Sequence, residues 1–512
     1  MPASRPDNGH PGRSTQPPAD AIDPAGPLRE AARIAERYIA EAEGDGPVAP
    51  LPPDRAQAGL PIDVPRSGLG EAAALRRLER LVLATPPSAG PRFMNQLFGG
   101  REPLAAAADA LAAVLNNSMY TYKAAGPQVL VERRLIERML ELSGMPGGDG
   151  LFTPGGSMSN LAAMLIARNE MAPGAREHGF DGRGRTVYAS AESHYSLSKS
   201  CAMIGVGRSN LRRVRADAQG RMNPAALREA IAADLDAGLE PMMIVATSGT
   251  TVIGAFDPLG PIADVRDEFG LWLHVDGAFG GSALLHPERR ALLEGLDRAD
   301  SFTWDAHKTM GVPLTCSVAL TRRPGLAQDH FDEQAEYLFQ DNLEHADPRL
   351  NPGTGSLQCG RRNDALKLWA LWQALGDDGF AARLDRQLAA ARVAAERIRA
   401  DPRATLAIDP PFVNVCFEID GRCSASICSS LSDSGTLKVG YGTVNGRRVI
   451  RMVFVNPEID ERAVDRVLDD VFAAAADAPQ ADNATDNSTD NTGDNTADGQ
   501  ARMRGSGCCG RA

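Results

Sequence analysis

Lys308 closes the stretch Ser301-Phe-Thr-Trp-Asp-Ala-His-Lys308, and Asp276 sits in Leu273-His-Val-Asp-Gly-Ala-Phe-Gly-Gly281 just before it. The amine offers a Schiff base. The carboxylate offers a partner for a protonated ring nitrogen. A lysine imine together with an acid for the pyridinium nitrogen is the pair that pyridoxal 5'-phosphate chemistry requires. A lysine alone would carry little weight, because most lysines are solvated. A third stretch, Gly150-Leu-Phe-Thr-Pro-Gly-Gly-Ser-Met-Ser-Asn160, has the small residues that let backbone N–H groups approach an anion. A helix opening at Ser157 would aim its positive end at that anion. The plainer alternative is a turn with an N-cap serine.

The elements around these stretches alternate. Strand-like runs at 186–189, 210–214, 242–247 and 271–276 are each followed by a helical pattern, at 196–204, 224–237, 262–269 and 283–296. Such alternation predicts a mainly parallel sheet covered on both faces, with ligands beyond the carboxyl ends of its strands. Asp276 and the Thr247-Ser-Gly-Thr-Thr-Val-Ile-Gly254 loop both fall at such ends, and the glycine-rich loop joins them if a short strand precedes it. Helical spacing also marks 27–43, 71–82, 103–113, 129–142, 364–375, 380–400 and 461–475. Short strand-like runs at 405–408, 413–419, 437–441 and 448–455 suggest a smaller α+β domain. The expected organisation is a disordered 1–26, an N-terminal helical segment 27–100, a large domain 101–375, a small domain 376–475 and a low-complexity tail 476–512. That tail repeats Asp-Asn every four residues from Asp482 and has no core-forming side chains. The polar, irregular 325–350 reads either as a lid or as a surface loop pinned by an aromatic cluster.

Composition narrows the classes. A net charge of −12 argues against nucleic acid and anionic membranes as partners. No apolar run reaches the length of a membrane span, and the N-terminus lacks the apolar core of a secretory signal. The expected location is the cytoplasm. Eight cysteines without paired spacing fit idle thiols rather than a zinc site. No metal is expected.

Five stretches carry a resemblance. They are Pro91-Arg-Phe-Met-Asn-Gln-Leu97, Glu192-Ser-His-Tyr-Ser-Leu-Ser-Lys-Ser200, Thr250-Thr-Val-Ile-Gly-Ala-Phe-Asp-Pro258, Leu273-His-Val-Asp276 and Gln358-Cys-Gly-Arg-Arg362. Over 91–475 the chain resembles the pyridoxal-phosphate-dependent group II amino-acid decarboxylases, in their glutamate and cysteine-sulfinate branch. The resemblance implies an α/β fold of the aspartate-aminotransferase-like type (fold type I) with a mainly parallel seven-stranded sheet. It implies pyridoxal 5'-phosphate as cofactor and a homodimer with active sites at the subunit boundary. Lys308 would form the imine, Asp276 would pair with the ring nitrogen and His194 would stack on the ring. Gly156, Ser157 and His307 would hold the phosphate, with Thr247 and Ala278 lining the cofactor. Arg451 would bind the substrate α-carboxylate; taken alone it reads as a strand-edge salt bridge. Tyr337 matches a mobile-loop tyrosine that protonates the substrate carbon once carbon dioxide has left, which favours simple decarboxylation over aldehyde formation.

Gln96, Ser118 and Tyr120 match positions that line the side-chain pocket. The Ser-x-Tyr pattern resembles cysteine-sulfinate and aspartate decarboxylases, so a short acidic amino acid is the expected substrate, giving hypotaurine or β-alanine. The bland alternative is that these residues pack their loop. Glutamate or another amino acid is the alternative substrate, and a non-catalytic protein of the same fold is the remaining reading. Four departures from the family pattern stand out: Met94 for an aromatic residue, Lys123 for glutamate, Gly277 for alanine, and Asp305-Ala306 for Asn-Pro.

Overall fold

A computed structural model of the chain describes residues 23–42, 48, 50–333 and 347–481. The expected disorder of 1–26 and of the tail falls almost entirely outside these residues, as does Tyr337. Two compact units result, one of residues up to 86 and one of residues from 87 onward, with 47–49 belonging to the second. In the first, the helices Gly26–Ala42 and Glu71–Leu83 pair through Arg33 and Arg37, whose guanidinium groups both reach Glu79, at 2.8 and 3.1 Å. Leu78 and Leu81 stay exposed there.

The second unit is built on a seven-stranded sheet: β1 (Asp149–Thr153), β2 (Arg185–Ser190), β3 (Leu211–Val214), β4 (Glu240–Thr247), β5 (Trp272–Asp276), β6 (Ser301–Asp305) and β7 (Ser317–Thr321), in the order β1-β7-β6-β5-β4-β2-β3. Strands β3, β2, β4, β5 and β6 pair in parallel, and β7 runs antiparallel to both β6 and β1. Strands β2 and β4–β6 bury nearly every side chain, as expected when both faces of a sheet are covered. Tyr188, Ile244, Val275, Phe302 and Trp304 belong to the main apolar core.

One expected helix is absent. Residues 283–296 form 3-10 turns at Gly281–Leu285 and Arg289–Leu293 instead. Pro287 interrupts the apolar spacing, and proline in a helix interior removes a hydrogen bond and clashes with the preceding turn. The helices expected at 364–375 and 380–400 form one run, Ala365–Ala400, broken in its backbone at Gly376, whose φ is 60°. Smaller strands β8 (Ala404–Leu406), β9 (Asn414–Ile419), β10 (Gly440–Val444) and β11 (Arg447–Val453) make a four-stranded antiparallel sheet. Strand β10 starts three residues later than its pattern suggested. The two-residue turn Asn445-Gly446, with φ of 49° and 75°, sets its pairing with β11. The Ser424–Ser434 helix beside this sheet was not legible in its serine-rich sequence. It forms because Ile427, Cys428 and Leu431 share a buried face.

Candidate active site

Thr153, Thr247, Asp276 and Asp305 are the last residues of β1, β4, β5 and β6. Thr247 lies directly beside Asp276 in the register, and Ser317 pairs with both Asp305 and Thr153. All four therefore lie along one edge of the sheet. Topology alone brings residues as far apart as Thr153 and Asp305 to the place where α/β sheets bind ligands.

Asp276 is held from two sides. Its Oδ1 accepts the Ala278 N–H at 3.1 Å, and its Oδ2 accepts the Asn160 side-chain amide at 2.8 Å. Asn160 Oδ1 lies 3.1 Å from His274 Nε2, and His274 Nδ1 lies 2.8 Å from Ser301 Oγ, which accepts the Trp272 indole N–H at 3.0 Å. Burial pushes the His274 imidazole down to about 4, so it is neutral at ordinary pH. The buried chain Trp272–Ser301–His274–Asn160 thus fixes the carboxylate's orientation through neutral groups. Asn160 and His274 were not among the expected site residues. A signal existed: His274 and Asp276 are two apart on a strand and share a face, and Asn160 is one helical turn after Gly156.

His274 makes acid stability testable. Its folded value is below the unfolded one, so the unfolded chain takes up a proton first. The associated stability is present above pH 6.5 and is lost as pH falls toward 4. Between pH 7 and pH 5 this amounts to on the order of 2 kcal/mol. Urea midpoints of the native chain and of His274→Gln at the two pH values check it: the variant should lose correspondingly less on acidification.

The helix Gly156–Met171 opens behind Gly155, which supplies no side-chain cap. The N-cap serine alternative is therefore not what forms: Ser157 lies within the first turn, and while the Met158 and Ser159 N–H groups donate to the Gly155 carbonyl, those of Gly156 and Ser157 are left for another acceptor. A Cβ on Gly156 would stand 2.6 Å from Asp305 Oδ2 and 3.1 Å from the Ala278 methyl. Thr247 Oγ1 and Ser248 Oγ are buried without hydrogen-bond partners among the described residues, although the Thr247 backbone N–H is bound by Asp257 at 2.7 Å. Orphaned hydroxyls next to an uncapped helix start and a fixed carboxylate fit a phosphorylated heterocycle. Gly156→Ala should weaken pyridoxal 5'-phosphate binding about tenfold or more, since overpacking here costs roughly 1–3 kcal/mol; a titration of the visible absorbance measures it.

Lys308 leaves the turn after β6 with its side chain 19% exposed and its Nζ 3.3 Å from Asp305 Oδ2. His307 is buried beside it, with Nδ1 2.9 Å from the Cys316 carbonyl. His194, between β2 and the Ser196–Met203 helix, sets Nδ1 2.8 Å from Ser196 Oγ. Burial lowers its pKa, while the Asp276 and Asp305 carboxylates act against that. Lys308, Asp276, His194, Gly156, Ala278, Thr247 and His307 are thus on elements that meet at one sheet edge.

The substrate residues are distributed differently. Arg451, on β11, donates to the Thr251 carbonyl at 2.8 Å and to the Asn95 carbonyl, next to the exposed Gln96. Among the described residues no carboxylate pairs with it, so it is not the strand-edge salt bridge it resembled in isolation. Ser118 and Tyr120 are tied to 351–361. Ser118 Oγ accepts the Arg361 N–H at 3.3 Å, the Tyr120 carbonyl accepts the Gly353 N–H at 2.9 Å, and the Arg361 guanidinium holds the Met119 carbonyl and buried Glu132. Met94 is fully buried in the core. Gly277 is required where it stands, because a Cβ would sit 2.2 Å from the Phe302 ring. A cavity of about 750 Å³ between Arg221, Arg298 and Pro411 contains none of these side chains.

A strand-edge lysine and acid on a seven-stranded sheet, over an anion-ready helix start, define a class of enzyme. Residues 53–420 match the pyridoxal-dependent decarboxylase conserved domain, and the chain belongs to that family. It is a pyridoxal-phosphate-dependent amino-acid decarboxylase. It is 38% identical over 437 residues to cysteine sulfinic acid decarboxylase of Mus musculus, covering 81% of this chain and 88% of that protein. It is 34% identical over 440 residues to acidic amino acid decarboxylase GADL1 of Bos taurus, covering 82% and 84%. The crystal structure of mouse CSAD superposes with a TM-score of 0.84 at 34% identity, covering 88% of this chain and 99% of that one. The structure of Oryza sativa TDC with PLP and tryptamine reaches 0.82 at 26% identity, covering 90% and 99%. Among the described residues no helix is long and apolar enough to cross a membrane, and no side-chain cluster could hold a metal ion.

Proposed function

We propose that this decarboxylase acts on a short acidic amino acid, cysteine sulfinate or aspartate, yielding hypotaurine or β-alanine and carbon dioxide. The reading is carried by the similarity to proteins named cysteine sulfinic acid decarboxylase and acidic amino acid decarboxylase over four fifths of the chain. Arg451 supports the substrate's carboxylate end: its half-buried guanidinium leans on two carbonyls with Nε unpartnered, and among the described residues no acid balances its charge, so an anion is favoured there.

When bound, the cofactor supplies the electron sink for the bond that breaks. Lys308 anchors it and Asp276 keeps a proton at its ring nitrogen. His194 covers one face, Gly156, Ser157 and His307 hold its phosphate, and Thr247 and Ala278 pack along it. Arg451 fixes the carboxylate that will leave, and Gln96, Ser118 and Tyr120 face the substrate side chain. Tyr337, outside the described residues, delivers the proton to the substrate carbon. The large domain, 101–375, carries the cofactor site, and the small one, 376–475, brings Arg451.

A homodimer goes with this reading. The helix Pro103–Leu115 buries only Ala105, Ala108 and Ala112 and exposes Leu104, Leu111, Val114 and Leu115. Its larger apolar side chains point away from its own subunit, and a second copy would cover them. A cytoplasmic location fits the free cysteines at 201, 316, 359, 416, 423 and 428.

The test is a panel. Purified protein is offered cysteine sulfinate, aspartate, glutamate and tryptophan in turn, and the amines are identified by mass. Hypotaurine or β-alanine as the main product supports the proposal. Product from glutamate alone, or from tryptophan alone, overturns the substrate.

A further inference from the structure

Arg361, in the Gln358-Cys-Gly-Arg-Arg362 stretch, grips the loop that carries Ser118 and Tyr120 from three sides. Its N–H donates to Ser118 Oγ at 3.3 Å, its carbonyl accepts the Met119 N–H at 2.9 Å, and its guanidinium donates to the Met119 carbonyl at 2.9 Å. The guanidinium is itself fixed, because two bonds of 2.7 and 2.8 Å join it to Glu132 on the Gln128–Leu142 helix. Both side chains are almost fully buried, 5% and 2% exposed. A buried ion pair adds little net stability over apolar packing, but a bidentate one fixes a direction. Asn363 adds a second tie to the same helix, donating to Gln128 Oε1 at 2.9 Å. Upstream, the Gly353 N–H donates to the Tyr120 carbonyl, and Gly353 lies so close to the Tyr120 ring that a Cβ would stand 2.4 Å from it. Met119 is buried with Ala125 and Val129, which leaves its neighbours Ser118 and Tyr120 half-buried. Ser118 Oγ is used as an acceptor, so its O–H is left to donate, as an acidic side chain requires.

We infer that Arg361 and Gly353 are positioning residues that set substrate specificity: they hold the Ser118–Tyr120 loop where it seats a short acidic side chain and crowds one longer by a methylene. The inference rests on the reading of Ser118 and Tyr120 as residues that face the substrate side chain. One methylene too many or too few changes an enzyme's preference about 10- to 200-fold. A misplacement of about 1 Å in the groups that position a substrate costs as much. Neither Arg361 nor Gly353 is among the residues assigned to the cofactor. Altering them should change which substrate fits, and leave the cofactor held.

The experiment offers the cofactor-loaded full chain aspartate and glutamate, which differ by one methylene. Preference is the ratio of the two KM values, with a competitive inhibition constant standing in for an acid that is not turned over. In Arg361→Lys a charge still faces Glu132, but an ammonium cannot grip both carboxylate oxygens and the Met119 carbonyl in one plane. The preference for aspartate should fall about tenfold, with the absorbance of lysine-bound cofactor unchanged. Gly353→Ala keeps the ion pair and displaces the Tyr120 ring, and the preference should fall there too. Ile231→Ala is the control. It opens a cavity under the Pro224–Asp236 helix, so it lowers the melting temperature and should leave the preference where it was. A preference unmoved in either folded variant, or one that falls equally in Ile231→Ala, overturns the inference. Gly353→Ala decides alone if the lysine variant does not fold by circular dichroism. A native chain that prefers glutamate overturns the short substrate but not the role of Arg361, which stands if Arg361→Lys drives that preference towards one and falls if it does not.

Discussion

Replacing Lys308 with alanine should lower turnover by at least ~10³-fold and abolish the visible absorbance of lysine-bound cofactor, with every tested amino acid. Losses of this size are typical when the one covalent group of a catalytic unit is removed. The substitution also strands Asp305, a carboxylate that is 1% exposed and loses its ammonium neighbour at 3.3 Å. A stability loss is therefore expected alongside the chemical one. Lys308→Arg separates the two. A guanidinium still faces the acid, so thermal stability should recover, yet it forms no comparable imine and activity should not return. Measurable decarboxylation by a folded, cofactor-loaded Lys308→Ala protein would show that the lysine is not where the chemistry is anchored.

Much of this site could be read from the chain because the fold delivers it by topology. Alternating strands and helices over 186–276 imply a parallel sheet, and a parallel sheet puts Thr247 and Asp276 at neighbouring strand ends. A pattern two residues off at a boundary leaves that conclusion unchanged. The helix before Lys308 did not follow its pattern, since Pro287 turned an apolar spacing into 3-10 turns, yet β6 still starts where it must to pair with β5.

Less legible were the groups that act at one remove. Asn160 and His274 orient Asp276 through hydrogen bonds between a helix and a strand 114 residues apart. Periodicity reports which face a residue is on but does not tell which polar partner waits across it. The same holds for the Ser118–Tyr120 loop. Its residue types suggest a pocket, but not that hydrogen bonds to Arg361 and Gly353 hold it in place. Serine-rich 424–434 shows no helical pattern because serine is a weak helix former, and only tertiary burial of Ile427, Cys428 and Leu431 settles it.

Asp276→Asn should lower turnover by roughly 100-fold or more, the scale for losing one preorganised charge at a reacting system, while leaving the cofactor attached. The amide keeps the shape of the acid and one oxygen to accept the Ala278 N–H. It supplies no negative charge, so the ring nitrogen gives up its proton and the electron sink weakens. At Asn160 the change creates a second fault, because two amide NH₂ groups now face each other where one donated to a carboxylate at 2.8 Å. Asn160→Ala tests that part alone: the charge remains, its orientation is freed, and the loss should be smaller than that of Asp276→Asn. The absorbance of bound cofactor checks the division. Retained absorbance with lost turnover in Asp276→Asn places the acid's contribution in the reaction, whereas cofactor lost on desalting would mean that Asp276 serves mainly to hold the ring.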